Sequence, residues 1–232
     1  MIDYIKRHEM LCQFQLELEE KGFQWTIGID EVGRGSIAGP VSTAAVCLDR
    51  GEALFDSEFI GIFDSKKVSE KKRENLCKVI ENKGKAVSFI SISNEIIDEI
   101  NIKNATKMAM AKSLEQVLHK LAALNKRETL EREEKVKIAV IIDNEQLDLE
   151  AYKGFPFEIT QFAFPKADEN HIAVAAASIL AKVSRDQLMR KLDEVYPGYE
   201  LCQNKGYGTK KHYEGIKSLG LSPIHRKTFC KG

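Results

Sequence analysis

The sequence predicts an α/β domain built around one mixed β-sheet, because of the order in which its apolar segments follow one another. Two β-prone runs near the start are joined by a connection so short that we expect an antiparallel pair. Further along, β-prone runs are separated by segments of helical spacing, an order that packs helices against a sheet. Antiparallel strands first and helix-separated strands later together make a mixed sheet.

Start and stop signals give the approximate bounds of the predicted elements. Gly22 ends the first helix and Ser69 can cap the second. The continuously apolar run 138–142 is typical of a strand covered on both faces, and the alanine-rich run 172–192 of a helix lying close to a neighbouring surface. We expect helices over 2–21, 69–82, around 110–121, 172–192 and 212–219, and strands over 25–29, 41–48, 86–92, 138–142 and 157–164.

The composition is that of a globular protein. The chain has 232 residues, 43% of them hydrophobic and 30% charged, which excludes collagens, disordered tails and disulfide miniproteins. No apolar run approaches the ~18 residues of a transmembrane helix and the N-terminus is charged, so we expect a soluble, untranslocated, cytoplasmic protein. One domain over 1–232 is expected. Its five cysteines contain no C-x-x-C pair and are interpreted as reduced thiols.

A net charge of zero hides an uneven distribution. The 35 Lys and Arg residues balance 35 Asp and Glu, which argues against wholesale electrostatic capture of nucleic acid. Over residues 203–228, however, six Lys or Arg residues stand against one Glu, within a basic C-terminal segment of about 197–232. The mixed-charge run 127–135 predicts a solvated turn or helix end.

Acidic residues follow three of the apolar runs. Asp30 and Glu31 close the first strand, Asp143 closes the buried one, and Asp168 comes shortly after the last. Several carboxylates that converge beside a core require a cation, and Mg²⁺ or Mn²⁺ suits oxygen ligands. Neighbours in a regular strand point to opposite faces, so Asp30 and Glu31 can share a site only where the strand ends or bulges. The alternative is that these residues face water in loops.

Two glycine-containing loops are candidate nucleic-acid contacts. Gly33, Arg34 and Gly35 place backbone N–H groups and a guanidinium beside the acidic pair, although a tight turn between strands has the same composition. Tyr207 is flanked by glycines and lysines, which suits a ring that stacks while lysines contact phosphates. Its alternative is a half-buried tyrosine in a surface loop.

The other charged candidates have weaker signals. Lys66 and Lys67 lie in a cationic run before a helix, and such runs are usually solvated faces. Asp186 is expected a few turns into a helix, in an arginine-paired surface role. The remaining groups are interpreted as loop charges (Asp148, Glu150), as packing or surface residues (His8, His119, His171) and as unassigned (His225).

Taken in order, these motifs resemble those of the type 2 ribonucleases H, the ribonuclease HII family, over nearly the whole chain from Thr26 to Phe229. The specificity of the resemblance lies in the combination and order of the motifs, at 28–35 with 38–41, 64–67, 166–168, 175–183, 205–209 and 223–226. The related type 3 enzymes have a longer N-terminal extension and a different residue at the Arg34 position, so the chain resembles type 2 better.

The resemblance implies a ribonuclease H-like fold, a mixed five-stranded sheet flanked by helices with a small helical C-terminal segment. It implies hydrolysis of the RNA strand of RNA–DNA hybrids and incision 5′ to single ribonucleotides in duplex DNA, in DNA replication and ribonucleotide excision repair. It also implies a monomer that uses two divalent metal ions, Mn²⁺ or Mg²⁺. No peptide for docking on a sliding clamp is evident at the C-terminus.

The resemblance also implies roles for individual residues. Four carboxylates would be both catalytic groups and metal ligands: Asp30, Glu31, Asp143 and Asp168. Six residues would bind substrate. Gly33, Arg34 and Gly35 would read the 2′-hydroxyl. Lys66 and Lys67 would hold phosphate, and Tyr207 would stack on the sugar at the RNA–DNA junction.

Two positions depart from the family pattern. Asn144 follows Asp143 where glycine is common, and Ser36 follows Gly35 where proline is common. The first departure bears on the assignment of Asp143, whereas the second is expected to be harmless.

Two other functions fit parts of the pattern. A metal-dependent nuclease of the same broad fold could act on DNA junctions, and would differ in not needing a 2′-hydroxyl. A non-catalytic nucleic-acid-binding module could keep the fold and the basic loops. Four intact carboxylates argue against the module, which would gain from replacing acidic residues near phosphate.

Overall fold

The computed structural model describes residues 4–63, 65, 68–128 and 135–230. Within them, five strands form one sheet: β1 (Trp25–Val32), β2 (Val41–Cys47), β3 (Ala86–Ile92), β4 (Val136–Asp143) and β5 (Phe157–Phe164). Their order is β3-β2-β1-β4-β5. The β1–β2 and β2–β3 pairs are antiparallel, whereas β1–β4 and β4–β5 are parallel, which confirms the predicted mixed sheet.

Helices cover both faces of the sheet. The described residues form α1 (Tyr4–Glu20), α2 (Glu70–Lys83), α3 (Asn94–Glu128), α4 (Ala167–Asn170), α5 (Ile172–Val195), α6 (Leu201–Asn204) and α7 (Lys210–Leu219). α1, α2 and α5 share one apolar core with the sheet, and α3 forms another on the opposite face. Because side chains alternate along a strand, Ile27 and Ile29 of β1 pack in the core with α3 while Gly28 faces α5.

Several element bounds differ from the predicted ones. β1 continues through Val32 instead of ending at Ile29, because β2 supplies a backbone partner for each of its polar residues. β4 is likewise longer at both ends. Ser69 occupies the N-cap position of α2, but its side chain makes no capping hydrogen bond. The short helices α4 and α6 carried no apolar periodicity and were not predicted.

The long helix α3 is two helices joined across a kink. Asn101 has φ 67° and ψ 162°, which no residue inside a helix adopts. This conformation is rare for any residue but glycine, and the Asn101 side chain accepts a hydrogen bond from the Asn104 backbone N–H at 3.1 Å, which begins the second helix. The helix runs to Glu128, and residues 129–134 of the predicted mixed-charge turn lie outside the described residues.

The basic C-terminal segment packs on the body of the molecule through its own apolar cluster. Tyr199, Leu201 and Ile224 contact Ala38 and Met189. The assignment of residues 1–232 to a single domain stays a prediction.

In the described part of the chain, we find no helix with both the length and the apolar character needed to cross a bilayer. All five cysteines are unpaired, and burial raises the pKa of Cys12, Cys47 and Cys77 to about 12.

Helix α5 approaches the sheet closely at Gly28. A Cβ built there would lie 2.1 Å from the carbonyl carbon of Ala173 in α5, well inside van der Waals contact. The alanine-rich face of α5 can therefore rest directly on the β1 backbone. This contact confirms the expectation that the small residues of this helix allow a close approach.

We expect Gly28→Ala to lower the free energy of unfolding by about 3 kcal/mol, since the new methyl group meets backbone that cannot move aside without shifting α5. Chemical denaturation followed by circular dichroism measures the change. Gly154→Ala is the matched control, because a Cβ at Gly154 has no atom within 4 Å. Equal stability of the two variants would contradict the close packing.

Candidate active site

The carboxyl ends of the two central strands open into a pocket. Pairing between β1 and β4 ends at Ile29 and Ile142, one residue before the acidic side chains begin. Beyond that point β1 is paired with β2 and β4 with β5, so Asp30 and Asp143 adjoin each other in the register across the opening. Crevices at the carboxyl ends of strands are common ligand sites in α/β folds.

The structure brings all four predicted carboxylates to this opening. Glu31 is on the opposite strand face from Asp30, but β1 has no β4 partner beyond Ile29, so its side chain can still reach the opening. Asp168 enters from α4, just after β5. The pocket holds about 240 Å³ and is lined by Asp30, Glu31, Val32, Ser65, Asp143, Asp168, Ser178, Lys182 and Tyr207.

Asp30 is a strongly perturbed acid of the pocket. Its side chain is 8% exposed, and Oδ1 accepts a hydrogen bond from the Glu31 backbone N–H at 2.8 Å. Burial and the neighbouring charges of Glu31 and Asp168 raise the pKa of Asp30 to about 8, although a hydrogen bond from Ser178 lowers it in part. The Ser178 hydroxyl is itself hydrogen-bonded to Ser65 at 3.0 Å.

Glu31 has one satisfied oxygen and one unsatisfied oxygen. Oε1 accepts from Arg34 Nη1 at 3.2 Å, whereas Oε2 is buried without a hydrogen-bond partner. Burial raises the pKa of Glu31, and Arg34 opposes that shift. A buried carboxylate oxygen without a donor is unfavourable and is suited to accept a cation.

The donor set fits a hard divalent cation. Carboxylate oxygens are the ligands that Mg²⁺ and Mn²⁺ prefer, and a cation would relieve both the repulsion that raises the Asp30 pKa and the unsatisfied Glu31 oxygen. As the side chains stand, no group of three or more His, Cys, Asp or Glu among the described residues is arranged to hold a metal ion. The ligand assignment therefore stays a prediction.

The Gly33–Gly35 loop follows the acidic pair and lies against two buried arginines, Arg226 and Arg185. Arg226 donates to the carbonyl oxygens of Gly33 at 2.7 Å and Arg34 at 2.8 Å. In a trans peptide the C=O and N–H groups point in opposite directions, so the N–H groups of Arg34 and Gly35 are directed away from Arg226. Gly33 has φ 85°, and a Cβ there would collide with Arg185 Nε at 2.2 Å, so this position requires glycine.

Tyr207 faces the same loop from the C-terminal segment. Its side chain is 38% exposed and lines the pocket. A Cβ on Gly35 would lie 3.9 Å from its Cε1 atom, and Arg185 Cζ lies 5.9 Å from the ring centroid. The ring is thus held next to Gly35 with part of its surface open to a ligand.

The predicted phosphate contacts Lys66 and Lys67 lie outside the described residues, while Ser65 beside them lines the pocket. The expectation for Asp186 is wrong. This residue is 7% exposed and accepts from Lys182 Nζ at 2.8 Å, because the helix places the two side chains one turn apart. Arg190, one turn further along α5, pairs instead with Glu70 and Glu74 of α2.

Sequence reasoning missed Ser178 and Lys182 as pocket residues. They are four residues apart on α5, so they occupy one helix face above Asp30. The signal was a serine and a lysine at helical spacing among the small and apolar residues of the first half of the helix. Such polar positions in a helix that packs closely on a sheet indicate a site.

The minor candidates have structural roles. His8 is buried against the Leu54 carbonyl oxygen at 2.7 Å, and His171 packs between Phe14 and Phe164. Asp148 caps a 3-10 turn over Leu149–Tyr152, and Glu150 pairs with Lys153.

The two departures from the family pattern have local explanations. Asn144 has φ 54°, a left-handed conformation that glycine or asparagine adopts readily, so Asp143 keeps its place at the end of β4. The Ser36 hydroxyl accepts a hydrogen bond from Arg185 Nη2 at 3.0 Å.

Comparison with known proteins identifies the family. The model of the family described as Ribonuclease HII matches residues 27–232. Ribonuclease H2 from Pyrococcus horikoshii OT3 superposes with a TM-score of 0.62 at 25% identity, covering 88% of this chain and 93% of that one. Ribonuclease HII of Archaeoglobus fulgidus, solved in complex with PCNA, gives 0.58 at 26% identity, covering 88% and 94%.

A third structure supports the fold. Bst-RNase HIII, solved in complex with Mn²⁺, has a TM-score of 0.58 at 24% identity and covers 93% of this chain and 70% of that one. The family match extends over most of the sequence and includes every residue that lines the carboxylate pocket. The chain belongs to the ribonuclease HII family and is a ribonuclease H, a hydrolase that acts on the RNA of RNA–DNA hybrids.

Proposed function

We propose that this ribonuclease H also incises duplex DNA on the 5′ side of single embedded ribonucleotides, leaving 5′-phosphate and 3′-hydroxyl ends, with two divalent ions, Mn²⁺ or Mg²⁺. The observation that carries the proposal is the shared pocket. Four carboxylates, the exposed face of Tyr207 and the adjoining Gly33–Gly35 loop form one continuous surface. Carboxylates alone suit phosphodiester hydrolysis, and the loop and the ring add selection for ribose.

The metal ions would be held by Asp30, Glu31, Asp143 and Asp168. When bound, a pair of divalent ions activates water and stabilises the leaving oxygen in an in-line displacement. Two side chains of the protein hold these acids in place. Ser178 hydrogen-bonds to Asp30, and Arg34 balances Glu31 from the solvent side.

Recognition of ribose is assigned to the Gly33–Gly35 loop. The N–H groups of Arg34 and Gly35 point away from the buried Arg226, on the side where a substrate backbone can approach. Glycines at both ends leave room for a close approach, and the 2′-hydroxyl is the group that distinguishes RNA from DNA.

Tyr207 is assigned to the sugar at the RNA–DNA junction, because its ring lies beside the Gly35 position with one part exposed. Phosphates would be held by Lys66 and Lys67, with Lys182 of the pocket wall as a further contact. Action as a cytoplasmic monomer in DNA replication and ribonucleotide excision repair is part of the same proposal.

End-labelled duplexes test the proposed function. One contains a single ribonucleotide, one is all DNA and one is a uniform RNA–DNA hybrid, each with Mg²⁺, Mn²⁺ or EDTA. We expect metal-dependent incision 5′ to the ribonucleotide, cleavage of the hybrid and an intact all-DNA duplex. Cutting of the all-DNA duplex would instead indicate a DNA-junction nuclease, and binding without cutting would indicate a binding module.

Asp143→Asn should lower kcat by about a hundredfold or more while leaving substrate affinity within a few-fold, since it removes a charge from the proposed metal site. Single-turnover cleavage and a binding titration in Ca²⁺ or EDTA separate the two effects. Asp148→Asn is the control, because asparagine can still cap its turn. Wild-type cleavage by Asp143→Asn would remove this residue from the site.

Asp30→Asn should stabilise the metal-free protein. The pKa of Asp30 in the folded protein is raised to about 8, above the ordinary 3.8 of an unfolded chain. Ionisation of Asp30 therefore lowers the free energy of unfolding. This loss of stability is absent below pH 4, grows as the pH rises and is complete above pH 8. The variant should gain roughly 2–4 kcal/mol at pH 8 in EDTA and little at pH 4. Denaturant titrations at both pH values, with Asp148→Asn alongside, measure the gain, and a pH-independent difference would contradict the buried acid.

A further inference from the structure

Two histidines of the C-terminal segment form a buried pair that the catalytic site does not account for. His212 is in the first turn of α7, and His225 belongs to the motif at 223–226. They are 0% and 1% exposed, and their Nε2 atoms are 3.1 Å apart. One Nε2 must carry a proton and the other must not, so the geometry restricts the tautomer of each ring.

The surrounding partners fix both tautomers. The Tyr207 carbonyl oxygen can only accept, so His212 Nδ1, 2.9 Å away, must be the donor. The Ser222 backbone N–H can only donate, so His225 Nδ1, 3.0 Å away, must accept. If both rings are neutral, His225 Nε2 then carries a proton and donates it to His212 Nε2. The result is one continuous chain of hydrogen bonds from Ser222 to Tyr207.

Each end of this chain is tied to the substrate-facing surface. At one end it holds the carbonyl of Tyr207, which the Thr209 N–H also contacts at 2.8 Å. At the other end, His225 forms a β-bridge with Ala38, just beyond the Gly33–Gly35 loop. The next residue, Arg226, donates to the carbonyls of that loop.

We propose that His212 and His225 are positioning residues, a neutral imidazole pair that sets the place of Tyr207 relative to the Gly33–Gly35 loop and thereby the selection of the RNA–DNA junction. The inference rests on the proposed function, because it needs Tyr207 to contact substrate. Neither histidine lines the pocket, so both act through the tyrosine.

The surroundings keep the pair neutral. Burial lowers the pKa of both rings, and the charge of His212 lowers that of His225 further, while backbone hydrogen bonds partly offset the shifts. The Tyr199 ring faces both imidazoles edge-on, at centroid distances of 6.2 Å and 4.8 Å. Protonation of His212 would place two N–H donors against each other at 3.1 Å. Protonation of His225 would set its Nδ1–H against the Ser222 N–H at 3.0 Å, so either event breaks the chain.

Two substitutions at one position separate positioning from packing. In His212→Asn the side-chain amide lies near the former Nδ1 and can still donate to Tyr207. In His212→Gln the amide lies near the former Nε2, so contact with His225 can persist but the bond to Tyr207 is lost. Tyr207→Ala is the reference for complete loss of the ring.

The readout is kcat/KM on a single-ribonucleotide duplex divided by kcat/KM on a uniform hybrid. We expect His212→Gln to lower this ratio about tenfold, in the direction of Tyr207→Ala, and His212→Asn to stay within about threefold of wild type. A wild-type ratio in His212→Gln, with a lowered ratio in Tyr207→Ala, would overturn the inference. So would a parallel fall on both substrates with a lowered melting temperature. Failure of the wild-type enzyme to cut at single ribonucleotides would instead overturn the proposed function.

The tautomers can be observed without any activity assay. Long-range ¹H–¹⁵N correlation spectra of the metal-free protein at pH 6.5 distinguish a protonated from an unprotonated ring nitrogen. We expect His212 to carry its proton on Nδ1 and His225 on Nε2, with both rings neutral. The opposite tautomer in either ring, or a charged ring at this pH, would overturn the hydrogen-bond chain.

Discussion

Two fully buried arginines hold together the part of the molecule on which the substrate contacts depend. Arg185 donates to the carbonyl oxygens of Pro40 and Lys205 and to the Ser36 hydroxyl. Arg226 donates to the carbonyls of Gly33, Arg34 and Gly39. Burial and the nearby Arg185 charge lower the pKa of Arg226 to about 9. Except for Lys205, these acceptors are neutral oxygens of residues 33–40, so that segment can be neither removed nor reshaped without leaving a buried cation unsatisfied.

The carboxylate pocket and the two buried arginines lie side by side and differ in how their charges are compensated. Below the loop, buried positive charge is stabilised by oriented carbonyl dipoles. At the strand ends, negative charge accumulates with less compensation, and burial raises the pKa of both Asp30 and Glu31. A site that is least stable when empty binds cations more strongly than one whose charges are already neutralised, because the cation removes the repulsion. Metal affinity and metal-free stability therefore oppose each other here.

The periodicity of the apolar residues predicted most of the sheet, and the acidic residues that follow the apolar runs predicted the four pocket acids. Neither pattern predicted how the four side chains meet. Alternation along β1 left Asp30 and Glu31 on opposite faces, and only the end of β1–β4 pairing at Ile29 explains how both reach the pocket. The burial of Arg185, Asp186 and His225 could not be predicted from the sequence, because residues of these types are usually at the surface. Their environment is created by loops that are distant in sequence, for which no local pattern exists.

The contact of α5 with Gly28 also sets the dimensions of the site. Successive turns of this helix carry Ser178 to Asp30, Lys182 to the pocket wall and Arg185 to the loop carbonyls. The positions of all three side chains depend on the backbone contact between Gly28 and α5, which has no room for an added atom. A substitution that lifts α5 by a fraction of an ångström would displace three functional contacts together. The apolar face of this helix that packs on the sheet thus determines how precisely the site residues are placed. Its alanines limit which substitutions the catalytic surface can accept.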